Sequence, residues 1–220
     1  MIIDADDAFS GDALEVFYKT YEEIPLHLQN TISSVTANCQ DQYGNFIGTP
    51  YPVGGDEKLI CDVFDMRYKY NVEGEKWGFT KTDIMKEFPF NTDIDKFVTE
   101  NTVWFAIANK YKAVFINKTL RTYYRNENLH SLGTIGEKHH PSGFVFYYQE
   151  IINKYMKKMH LSFIDMIRLY KNLLKFSIHA EMKIPDAIKK LDKFHKRLFA
   201  YICVPLGYLA VYIDKRKQKK

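Results

Sequence analysis

Cysteine is scarce and scattered. Cys39, Cys61 and Cys203 lie too far apart for a CxxC pair or any Cys/His ligand spacing, which argues against a zinc module and against a disulfide framework. Reduced thiols in a cytosolic setting are the expectation. The chain also lacks an opening basic stretch followed by an apolar run and a small-residue cleavage site, so no secretory signal is expected. There is no internal repeat, and no low-complexity segment apart from a basic tail. Long hydrophobic runs are missing too. The most apolar stretch, Leu198 to Ile213, is interrupted by Pro205 and Gly207 and falls short of the about 20 residues that cross a bilayer.

What is present is aromatic and unevenly charged. With 220 residues, 46% hydrophobic and 15% aromatic, the chain can bury one substantial core and carry an appended subdomain. The net charge of +4 conceals an asymmetry: residues 1–150 hold 14 basic against 22 acidic side chains, and residues 151–220 hold 17 against 5. Two parts of opposite sign are expected to do different jobs.

Residue patterns suggest the elements. Ser10 is placed to cap a helix whose first turn carries Asp12 and Glu15, with Leu14, Val16, Phe17 and Tyr21 as its buried face up to Pro25. Thr31 to Ala37 is β-prone, and Gln42-Tyr43-Gly44-Asn45 turns it back towards Phe46-Ile47 as a hairpin. Leu59 to Tyr70 fits helix or strand. A short helix is expected at Thr82–Glu87 and a longer one from about Glu100 to Tyr111, capped by Thr99. Two β-prone stretches follow, 113–117 and 120–124. Helices are then expected over roughly 144–159, 162–180 and 186–213, broken at Pro141 and Pro185. A mixed-sheet αβ domain followed by a helical extension accounts for this order.

The densest chemistry lies at Asp4-Ala5-Asp6-Asp7, just after Ile2-Ile3. Carboxylates this close repel unless a cation or strong donors hold them. An EF-hand does not fit, because its turn glycine falls on Phe9 and its fifth position on Ala8. Two readings stay open: acidic residues that turn and cap between a strand and a helix, or a Mg²⁺ or Mn²⁺ site that neutralises a nucleotide diphosphate. The histidines give less: His130, His139 and His140 follow the last β-prone stretch and are read mainly as solvated loop residues.

Downstream, Gly74-Glu75-Lys76-Trp77-Gly78-Phe79-Thr80-Lys81-Thr82 leads to Phe88-Pro89-Phe90 and to Lys96-Phe97-Val98-Thr99-Glu100-Asn101-Thr102-Val103-Trp104. Ala106-Ile107-Ala108-Asn109-Lys110-Tyr111-Lys112 and the run Phe115 to Tyr124 stand behind them. In order and spacing the set resembles the second half of family 2 glycosyltransferases, over roughly residues 2–132. The resemblance implies a truncated doubly wound α/β fold, like that of nucleotide-diphospho-sugar transferases, with a partial catalytic domain at 1–142 and a basic helical extension at 143–220. It matches Asp4 and Asp6 to the metal-binding pair, Asp7 to the acid that follows it, and Glu100 to the general base. Lys81 falls near the donor phosphates and Trp77 at a donor or sugar subsite, while Trp104 is better read as core.

The implied reaction is inverting transfer of a sugar from a nucleotide-sugar donor to a glycan or lipid-linked acceptor, at the cytoplasmic membrane face and in cell-surface polysaccharide synthesis. Those enzymes begin with about two βα units that contact the nucleotide base and ribose, and none precedes Met1. The alternative is therefore an incompetent fragment, or a subunit that needs a separate amino-terminal half. No nucleic-acid partner is expected, for want of a recognised module. Residues 198–220, apolar and then basic, leave two readings open: peripheral contact with anionic lipid, or a solvated end behind a core helix.

Overall fold

The strand Lys112–Tyr123 shows how the first part of the chain is built. Successive side chains alternate between faces, and here both faces are covered. Val114, Ile116 and Leu120 join one core with Phe17, Val35 and Trp77. Ala113 and Phe115 join another with Tyr51, Cys61 and Met66. A strand buried on both faces loses its polar alternation and becomes a continuous apolar run, as at 113–116.

The computed structural model describes residues 6–55, 57–91, 93–124 and 139–217. Its elements run β1 (Ala8–Phe9), α1 (Ala13–Glu22), α2 (Leu26–Gln29), β2 (Ile32–Asp41), β3 (Lys58–Cys61), a π-helical turn (Asp65–Lys69), β4 (Lys76–Thr80), α3 (Thr82–Glu87), α4 (Asn101–Lys110) and β5 (Lys112–Tyr123). Then come α5 (Pro141–Glu150), a π turn and a 3-10 turn to Lys158, α6 (Phe163–His179), α7 (Ile184–Lys189), α8 (Phe194–Ile202) and α9 (Val204–Lys217).

The sheet order is β1-β5-β2-β4, with β3 also on β5. β2 runs parallel to β5, and the other pairings are antiparallel. β2 occupies one edge of β5, so β3, beside Ala113–Ile116, and β1, beside Arg121–Thr122, share the other. The fold class is mixed α/β. The chain divides into two compact units, Met1–Pro89 with Val103–Leu129, and Phe90–Thr102 with His130–Lys220. The segment 90–102 thus groups with the helical part, which a cut at 142 does not capture.

Several local expectations change for physical reasons. The β-prone stretches 113–117 and 120–124 merge into β5, because register shifts in the β2/β5 ladder absorb the polar residues between them. The turn at 42–45 forms, with Asp41 N–H donating to Asn45 O (2.9 Å), but Phe46-Ile47 contributes one isolated bridge rather than a strand. Leu59 to Tyr70 divides into β3 and the π-helical turn. Ser10 does not cap α1: the N-cap is Asp12, without a side-chain bond, and the Ser10 hydroxyl is buried with no partner among the described residues. Leu14 is exposed, while Ala13, Phe17 and Thr20 form the buried face. The helix expected over 186–213 becomes three, interrupted by the turn at 190–193 and again at Cys203.

Two glycines pin the loops flanking the sheet. Gly48 and Gly74 adopt φ of 79° and 88°, and a Cβ on Gly74 would lie 2.4 Å from the Gly48 Cα. Thr49 N–H donates to Glu73 O at 2.9 Å across the same contact. Gly74→Ala combines backbone strain with a backbone clash and is expected to lower unfolding free energy by about 2–3 kcal/mol in urea titration. Gly44→Ala, at a similar φ but in open space, should cost only about 1 kcal/mol. Equal losses would show that the close approach is not what constrains the loop.

Candidate functional site

A buried charged side chain is uncommon, and Arg121, near the end of β5, is one. It lies in β5, opposite Phe9 of β1 and Cys39 of β2 in the two ladders. Its side chain is 5% exposed, and that of Asp7 is 1% exposed. Arg121 Nε donates to Asp7 Oδ2 at 2.8 Å, and Nη2 donates to the same oxygen. Arg121 Nη1 reaches Glu75 Oε1 at 3.3 Å, and Tyr124 N–H donates to Asp7 Oδ1 at 3.1 Å. Burial works against the guanidinium charge, but the Asp7 hydrogen bond and charge, with help from Glu75, outweigh it and raise its pKa. A cavity of about 190 Å³ borders this pair, lined by Phe9, Gln40 and Thr119–Thr122 among others.

The acidic motif is thus only partly a free cluster. Asp4 lies outside the described residues, Asp6 is exposed, and Asp7 is committed to Arg121. Among the described residues no group of three or more His, Cys, Asp or Glu side chains is arranged to hold a metal ion. Asp7 does not fit a divalent cation as it stands, because a guanidinium already occupies its carboxylate and two cations there would repel.

A second polar cluster crosses the sheet nearby. Lys76 Nζ donates to Thr49 O (2.5 Å) and to Asn38 Oδ1 (3.0 Å), Asn38 Nδ2 to Asn117 Oδ1 (2.8 Å), and Asn117 Nδ2 to Val53 O (3.1 Å). The ammonium sits 4.9 Å from the Tyr51 ring centre. Partial burial pushes the Lys76 pKa down to about 8, against smaller opposing effects from Cys39 and Glu75. Cys39, buried beside it, has its thiol pushed up to about 12 by desolvation, so it is not a reactive nucleophile.

The remaining expected residues fall into different settings. Trp77, expected at a donor or sugar subsite, is a core residue: it is 4% exposed, its ring centre lies 5.4 Å from Phe17 and 5.5 Å from Phe9, and it gives a ligand no open face. Lys81 Nζ donates to Gln29 O at 2.6 Å and lies 4.8 Å from the Tyr21 ring centre, so its ammonium ties α2 to the start of α3. Trp104 packs with Ile84, Val103 and Ile107, as its helical face suggests. Glu100 is exposed and immediately precedes α4, where Thr102 N–H donates to Thr99 O at 3.1 Å. Unpaired amides at that helix end favour a carboxylate.

His140 Nδ1 meets Asp95 Oδ1 at 2.7 Å, which anchors the segment before Glu100 to the start of α5. His139 is exposed, and His130 lies outside the described residues.

No protein-family profile and no curated protein matches the chain. A cavity of about 470 Å³ lies among α1, β3 and β5 and contains none of the expected site residues; its charges include the pairs Lys19–Glu15 and Lys58–Glu23. Arg121 and Lys76, with Asn38, Asn117 and Glu75 around them, are polar residues to which sequence reasoning gave no role. A clue was available for Arg121, since a charge set among Leu120, Thr122, Tyr123 and Tyr124 points to a buried partner.

Two outcomes follow from these clusters. Arg121→Ala leaves Asp7 buried without its cation and should destabilise the fold by about 3–5 kcal/mol, read by urea denaturation; a loss under 1 kcal/mol, about that of an exposed pair, would contradict the buried pairing. Lys76 has a folded pKa below its unfolded one, so the folded state holds fewer protons between about pH 8 and pH 10 and stability should rise with pH across that window. The rise should be absent in Lys76→Met when the two unfolding curves are compared point by point.

Proposed function

We propose that this chain is an inverting, nucleotide-sugar-dependent glycosyltransferase resembling family 2, with Glu100 as general base. The observation that carries the proposal is the run β4, α3, a loop with Phe88-Pro89-Phe90, then Glu100 directly ahead of α4 and β5 behind it, the order the resemblance implies. In the reaction, the Glu100 carboxylate takes the proton of an acceptor hydroxyl as the oxygen attacks the anomeric carbon. The bond to the diphosphate breaks on the opposite face, and the diphosphate leaves with the electron pair. A Mg²⁺ or Mn²⁺ held by Asp4 and Asp6 would supply charge neutralisation for that leaving group. Asp7 then acts as the partner of Arg121 and supports the motif rather than the metal. The acceptor is a glycan or a lipid-linked sugar, and the setting is the cytoplasmic face of a membrane in polysaccharide synthesis.

A second reading is favoured by Asp7 itself, whose carboxylate is already taken by a cation of the chain. On that reading the chain is catalytically silent by itself and active only with a partner subunit. Calorimetry with a uridine nucleotide and Mn²⁺ separates the two: binding by the chain alone supports a self-sufficient site, and no heat supports the subunit. In a form competent for transfer, Glu100→Gln should lower turnover at least about 100-fold while donor binding is unchanged. Turnover within a factor of about two would remove Glu100 from the base role.

A further inference from the structure

The helix α8 is inside out. Phe194, Leu198, Tyr201 and Ile202 recur at i, i+4, i+7 and i+8, the spacing of a single helical face, and this face is exposed: Phe194 is 79% and Ile202 66% accessible. The opposite side turns Lys196 inward, where its ammonium donates to Asn153 O at 3.0 Å and pairs with Asp192 at 2.8 Å. A soluble surface helix would place these sides the other way round.

The next helix continues the pattern. α9 packs one side on α6, with Gly207 so close that a Cβ there would lie 2.7 Å from the Leu174 Cβ. Its other side exposes Tyr208, Leu209, Tyr212 and Ile213. The two helices meet at a 48° bend, and Phe163 and Ile164, at the start of α6, are also exposed. Isolated exposed apolar residues are ordinary, but contiguous helical faces of them mark an interaction surface.

Charge selects the partner. Residues 193–220 hold eight basic side chains and one acidic one. That acid, Asp214, is engaged with Lys175 (3.2 Å) and His179 (3.4 Å) of α6. Lys193, Lys215, Arg216 and Lys217 are exposed at the ends of the apolar faces. A second copy docking through the same surface would bring these cations together. Tyrosines with an apolar body and a polar tip, next to lysine and arginine, suit the headgroup level of a bilayer.

No single helix among the described residues is long and apolar enough to cross a membrane, and only the bent α8–α9 pair passes by length and composition. Spanning would require pulling Gly207 and Val211 off the unit and dragging the bonded Lys196 into hydrocarbon.

We propose that the outward faces of α8 and α9, with Phe163 and Ile164, form a peripheral docking surface for an anionic lipid bilayer. The proposal does not rest on the transferase reading. The test is co-sedimentation of the full chain with vesicles of phosphatidylglycerol and phosphatidylcholine, against phosphatidylcholine alone. Anionic vesicles should pellet the protein with at least about tenfold higher apparent affinity, and high salt should reverse most of the gain. Leu198→Glu with Leu209→Glu alters only exposed positions, so the circular dichroism spectrum and melting should stay as in the parent while vesicle binding falls about tenfold or more. Equal binding of the parent and this folded variant, or no preference for anionic lipid, would overturn the proposal. So would resistance to alkaline carbonate extraction, which would mean a span, and so would a stable dimer by light scattering without vesicle binding, which would mean a second copy.

Discussion

Burying a guanidinium under a sheet costs several kcal/mol of hydration unless a carboxylate meets it with good geometry. Arg121 imposes that condition on the first unit. Its partner Asp7 comes from the segment ahead of β1, and Glu75 from the residue ahead of β4, so one cation draws three separated stretches together at one end of the sheet. β1 contributes only two residues to the ladder, too few to fix a chain segment by main-chain bonds alone. The Asp7 carboxylate, which also accepts the Tyr124 N–H, supplies what the short ladder lacks. The acidic motif is therefore part of the fold's construction, and a functional role for its neighbours has to coexist with that duty.

The same end of the sheet tolerates other polar groups because the parallel ladder is irregular. Register shifts fall between Ile32 and Ser34 and on both sides of Asn38, and each changes which side chains face the core. Asn38 is wholly buried but bonded to Asn117, which in turn bonds Val53 O. Lys76 closes the chain on Thr49 O. A network in which the amides are matched can sit in a low-dielectric interior without the penalty of orphaned groups, and Lys76, half in solvent, loses only part of its hydration. The depressed Lys76 pKa and the raised Cys39 pKa have the same cause, desolvation acting on groups of opposite proton charge.

Much of the element order was legible in the sequence. Thr82–Glu87 is a helix as its pattern predicts, α4 departs from its expected bounds by one residue at each end, and the helical part, expected from Phe144, begins three residues earlier with Pro141 in the first turn of α5. Propensity and punctuation decide such segments locally. What escaped depends on tertiary partners. The merger of two β-prone stretches into β5 required neighbours on both edges. Ser10 lost its capping role because the chain enters α1 through Asp12, while Ser10 O, not its hydroxyl, accepts from Ala13 N–H. Trp77 carries an aromatic ring suited equally to a sugar and to a core, and only the positions of Phe9 and Phe17 decide between them. Asp7 could not be told from Asp6 by sequence, since the difference lies in Arg121, more than a hundred residues away.

Periodicity also has a sign that sequence does not supply. The stripe on α8 is plain from spacing alone, yet spacing cannot say whether the stripe or its opposite is covered. In the structure the covered side is the one with Lys196, because Asn153 O and Asp192 give its ammonium partners, and the long aliphatic stem of a lysine packs as apolar surface once its tip is bonded. Ala200 and Cys203 complete that inner side with small volume, which lets α8 sit close to Leu173 and Ile188 in the second unit's core. A small, bonded inner face and a large, apolar outer face are both consequences of this one choice of side, and the basic residues that bracket the outer face are what distinguish it from a core helix left half exposed.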